Sequence, residues 1–99
     1  MTINKKIIGS KLGVALEGRL DTTTAPQLEK ELKQNIDGID ELVIDLAKID
    51  YISSAGLRVL LSAQKVMNKQ GRMIIRNANE DVMEIFDVTG FVDILNIEK

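Results

Sequence analysis

The stretch "ELVIDL", Glu41 to Leu46, constrains this chain more than any other. A short, near-continuous apolar run suits a central strand covered on both faces. The residues after it change period. From about Ser54 to Gln70, Val59, Leu60, Ala63, Val66 and Met67 fall on one arc at roughly 100° per residue, the mark of a packed helix. Gly71 ends that helix, and "RMIIRN" reads as a second strand. Strand, helix and strand make a βαβ unit, which is expected to be parallel and right-handed.

The flanking segments extend the same plan. "INKKIIG" is a weak first strand, and "KLGVALEG" places Leu12, Val14 and Leu16 on one face of a half-buried strand. The "GSK" between them marks a turn and an antiparallel hairpin. "TAPQLEKELKQNI" predicts a helix capped by Thr24, with Gln27 completing a capping box and Pro26 in the first turn. Its Ala25, Leu28, Leu32 and Ile36 share a face. "NEDVMEIFDVTG" predicts a third helix, from Asn79 with an acidic first turn to Gly90. Its stripe is Val82, Ile85 and Phe86, extending to Val88. "IDGID" (Ile36–Asp40) is a helix exit and turn, and "VDILNI" reads as the last strand. The order β-β-α-β-α-β-α-β describes an α/β fold: a mixed, mostly parallel sheet packed against helices, in one domain over residues 1–99.

Composition narrows the chemistry. With no histidine and no cysteine, the chain lacks a Ser-His-Asp or Cys-His nucleophile, the commonest zinc ligand and any disulfide. The acids Asp37, Asp40, Glu41 and Asp45 do not have calcium-loop spacing. No Walker lysine motif or glycine fingerprint is present, and "SAQK" (Ser62–Lys65) lies mid-helix on a solvated face, so no metal or cofactor is expected. A net charge of −2 gives no basic footprint for nucleic acid. No membrane span or signal-peptide core is evident, so a cytoplasmic protein, monomeric or weakly dimeric, is expected.

The chemical question sits at the mouth of the second helix, in "DYISSAGLRVLL", Asp50 to Leu61. A serine there makes a good N-cap, worth about 1 kcal/mol. One cap needs one hydroxyl, and Ser53 and Ser54 supply two. A second hydroxyl, followed by the small Ala55 and Gly56, is open to a kinase. A phosphate there would meet free N–H groups and the positive end of the helix dipole. Leu57 and Leu61 widen the apolar arc beyond what a one-sided helix needs, which fits either deep packing or a partner-facing rim.

These residues carry a resemblance. "LEGRLDTTTAPQLEKEL", "ELVIDLAKIDYISSAGLRVLL" and "FDVTGFVDIL" resemble, in order, the STAS domains of single-domain anti-sigma factor antagonists. That resemblance implies a regulatory binding protein and not an enzyme. It binds an anti-sigma factor that is also a serine kinase, and so frees a sigma factor. The kinase then inactivates it with phosphate at the start of the second helix, and a PP2C-type phosphatase reverses the step. Aligning the family's D-S-S/T-G-L motif on Gly56 and Leu57 puts the acceptor at Ser54. Ser53 then stands where the family has aspartate, which makes it a rival acceptor, and Ala55 takes the second hydroxyl's place. Gly18-Arg19-Leu20-Asp21 matches the family's G-x-L-D, so Asp21 belongs either to the switch surface or to a simple turn. Thr22 and Thr23 read as local caps. The implied partner surface is Asp21, Thr22, Ser53, Ala55, Gly56, Leu57, Arg58 and Leu61. The alternative is a STAS scaffold without phosphate switching, in a signalling or lipid-transport complex.

Overall fold

The computed structural model describes residues 1–98. Strand β1 (Thr2–Ile8) pairs antiparallel with β2 (Lys11–Leu20). There follow α1 (Ala25–Asn35), β3 (Glu41–Ile52), α2 (Ser54–Gln70), β4 (Arg72–Arg76) and α3 (Glu80–Thr89). A 3-10 turn (Phe91–Asp93) leads into β5 (Ile97–Glu98). The five strands lie in chain order across the sheet, and every pairing after the first is parallel.

All three helices feed one core. Leu28, Leu60 and Phe86 pack with Leu12, Leu42, Ile44 and Ile75 from the sheet. Burial of each such side chain is worth roughly 1.5–3 kcal/mol. Because side chains alternate along a strand, Val43 and Ile74 point away from these helices. Each is only 8% exposed and stands outside that core cluster. Lys6, Lys11 and Arg76 rim a shallow depression over Val43. The expectation that β3 is covered on both faces is therefore corrected: helices cover one face, and strand side chains shelter the other.

Three further expectations change. Strand β3 runs six residues past Leu46, to Ile52. Its last buried side chains, Leu46, Ile49 and Ile52, come at every third residue because the β2–β3 register slips twice. Such bulges break the alternation that identifies a strand. "VDILNI" is mostly not a strand. Leu95 N–H donates to the Phe91 carbonyl at 2.9 Å, a helical turn that leaves only Ile97–Glu98 to pair. Val66 and Val88 are 39% and 77% exposed and are not core. Gly71 ends α2 as expected, with an extended φ of 173°.

Candidate functional site

Strands β2 and β3 end side by side, with Leu20 opposite Ile52. The loops leaving them meet at the carboxyl edge of the sheet, where α/β proteins commonly place functional groups. The Ser53 N–H donates to the Leu20 carbonyl at 2.9 Å and ties the two loops together.

The two serines divide the work. Ser53 is the N-cap of α2, with φ −89° and ψ 175°, and its Oγ accepts the Gly56 N–H at 3.4 Å. Ser54 is the first helical residue and is exposed. No hydrogen bond holds its hydroxyl among the described residues. Ser53→Ala is therefore expected to lose about 1 kcal/mol of stability with the cap removed. Ser54→Ala should stay within about 0.5 kcal/mol of wild type, as surface changes usually do. Urea titration of both variants checks this, and equal losses would remove the division.

The other residues at this edge separate into those that position and those that present. Gly56 and Leu57 are buried, Leu57 at 6% exposure, so they pack the helix start and offer no partner surface in this conformation. Deep packing is thus the answer for Leu57. Leu61 is half-buried and lines the groove between α1 and α2 with Thr22, Ala55 and Arg58.

Asp21 organises the neighbouring loop. Its Oδ1 accepts the Thr23 and Thr24 N–H groups at 3.0 and 3.1 Å, while Thr24 Oγ1 accepts the Asp21 N–H at 2.9 Å. This is a reciprocal capping box. It stands three residues upstream of the expected one, since Thr24 makes no side-chain cap to α1. The Thr24 hydroxyl is already engaged, donating to the Arg19 carbonyl at 2.7 Å and accepting the Asp21 N–H, so it does not turn to the first turn of α1. The Thr24 N–H chiefly holds the Asp21 carboxyl below its ordinary value of 3.8, with a smaller pull from the Arg19 guanidinium.

Sequence reasoning missed Arg19 and Tyr51 as members of this edge. They are partners across β2 and β3, and the guanidinium lies 4.7 Å from the ring centre. Such an arrangement stabilises by about 0.5–1 kcal/mol at an exposed site. Only the strand register reveals the pair, because the slip at Gly18 decides that Arg19 faces Tyr51 and not Asp50.

No group of three or more potential ligands is placed to hold a metal among the described residues. No helix there is long and apolar enough to cross a membrane.

The chain is similar to known proteins along nearly its whole length. The STAS domain model matches residues 2–99. BtrV of Bordetella bronchiseptica, which is named as an anti-sigma factor antagonist, is 38% identical over 99 residues, covering 98% of this chain and 84% of its own. The anti-sigma-B factor antagonist of Bacillus subtilis is 33% identical over 85 residues, covering 85% and 78%. Among solved structures, the unphosphorylated Bacillus SpoIIAA superposes with a TM-score of 0.78 at 14% identity, covering 99% of this chain and 88% of that one. Its phosphorylated form gives 0.77 at 15%, covering 99% and 92%. The fold, the full-length match and the named relatives agree: this chain belongs to the STAS domain family, among relatives named as anti-sigma factor antagonists.

Proposed function

We propose that this protein is an anti-sigma factor antagonist switched by phosphate on Ser54. In its unmodified form it binds an anti-sigma factor that is a serine kinase, and so releases a sigma factor in the cytoplasm. Phosphorylation breaks that complex, and a PP2C-type phosphatase restores it. The observation that carries this reading is the free hydroxyl of Ser54 beside a separate cap on Ser53. Phosphate on Ser54 need not break the cap. It would add about −1.5 to −2 charge at an exposed helix N-terminus, where free N–H groups favour an anion. The modification then weakens binding to the partner while the fold stays intact. The relatives' names and the existence of a phosphorylated SpoIIAA structure support the same reading.

The test is incubation of the purified protein with host lysate and ATP, followed by peptide mass spectrometry. Phosphate is expected on Ser54 and absent in Ser54→Ala. Ser54→Asp should weaken partner binding at least tenfold, about 1.4 kcal/mol, with a thermal midpoint close to wild type. Phosphate on Ser53 would move the acceptor by one residue. Unmodified peptides, with a control substrate phosphorylated in the same lysate, would leave the scaffold reading, in which Ser53 caps the helix and Ser54 is only surface.

A further inference from the structure

We infer that the groove between α1 and α2 receives an acidic amphipathic helix of a partner protein. The inference deepens the reading above, because it rests on partner binding at this end of the molecule and names the chemistry of the element bound. The groove is open, about 790 Å³ in volume, and begins beside Ser54 at Thr22 and Ala55. It continues into a second depression floored by Leu32, Ile36, Val59 and Ala63 and ending at Val66. From Ala55 to Val66 is eleven residues, about 16 Å of helix at 1.5 Å each, enough to seat three turns of a partner. Leu61 and the exposed Val66 stand outside the core cluster and supply the apolar surface that such a helix needs.

Charge selects the occupant. Both walls carry cations: Lys30 and Lys33 on α1, Arg58 and Lys65 on α2. Lys33 is paired with Glu29 at 3.0 Å. Lys30, Arg58 and Lys65 have no ion-pair partner among the described residues. Arg58 and Lys65 stand two helical turns apart along one wall. The chain as a whole carries −2, so this concentration of unpaired positive charge is local. Complementary charge steers and selects partners, and here it asks for acids flanking an apolar stripe. A second copy of this chain is a poor occupant. Its acidic helix α3 buries its own stripe, Val82 and Phe86, completely beneath the sheet.

The test is a ¹⁵N NMR titration of the full chain with a designed 15-residue helix bearing leucine on one face and glutamate on the other. A twin with lysine for glutamate serves as control. The acidic probe should shift amides along α1 and α2 and bind about tenfold tighter than its twin. Its affinity should fall as salt rises and the Debye length shrinks from about 10 Å toward 3 Å. The folded triple variant K30E/R58E/K65E, checked by thermal melting, should lose that preference. Equal binding of the two probes, shifts mapping elsewhere, or self-association producing the same shifts would overturn the inference. The two readings fail separately: phosphate on Ser54 is read by mass, and the groove is read on unmodified protein.

Discussion

Alanine at Gly71 is expected to remove about 3 kcal/mol or more, the upper end of what overpacking costs. At roughly 4–8 °C per kcal/mol for a domain of this size, Tm should fall by on the order of 15 °C. A Cβ at this position would fall on the backbone of Asp40, with the carbonyl carbon only 2.6 Å away. Backbone cannot rotate aside as a side chain can. Nor is Asp40 free to retreat, since its carbonyl accepts the Arg72 N–H at 3.0 Å and its own N–H donates to the Ser10 carbonyl at 2.8 Å. The preceding Gln70 closes the same joint by donating to the carbonyls of Ile36 and Ile39. One added methyl thus pries α2 from the turn that feeds β3. Gly38→Ala is the control. Its φ of 77° strains any side chain, but nothing lies within 4 Å, so only about 1–2 kcal/mol is at stake. Chemical denaturation of both variants decides the matter, and a Gly71→Ala variant as stable as Gly38→Ala would refute the steric account.

Gly71 also marks how far the sequence is legible. Its place at the end of a helix is plain from the apolar period that stops there, but the reason for glycine is its closeness to a residue thirty-one positions earlier. Local pattern finds elements whose faces repeat regularly: Leu12, Val14 and Leu16 on β2, or Leu28 and Leu32 on α1. It fails where tertiary pairing rewrites the period. The second half of β3 is hidden because two bulges space Leu46, Ile49 and Ile52 like a helix. Leu95 is hidden inside an apparent strand for the opposite reason: the helical turn that begins at Phe91 runs on among β-branched neighbours. At the site, the motif locates Ser53 and Ser54, yet their division into cap and free hydroxyl depends on backbone angles. Arg19 and Tyr51 meet only through register. The groove is less visible still, because its walls belong to segments separated by β3.

Gly56→Val should lower function through the fold and not by blocking access. An added Cβ would lie 2.7 Å from Leu20 Cγ, 3.0 Å from the Leu20 carbonyl oxygen and 3.1 Å from Ile52 Cγ2. The first clash can relax by rotating a leucine. The second cannot relax so easily, because that carbonyl accepts the Ser53 N–H which joins the two loops. Gly56→Ala is therefore expected to lose about 1–3 kcal/mol, and valine, with its branch, more than alanine. Partner binding and phosphate uptake should fall in proportion to the fraction unfolded, and both should recover at lower temperature in the alanine variant. An access role gives the opposite pattern: an unchanged Tm with weakened binding, as expected of Ser54→Asp. Melting curves for the three variants, set beside their affinities, separate a residue that builds the helix start from one that meets the partner. By its close neighbours, Leu20 and Ile52, Gly56 builds.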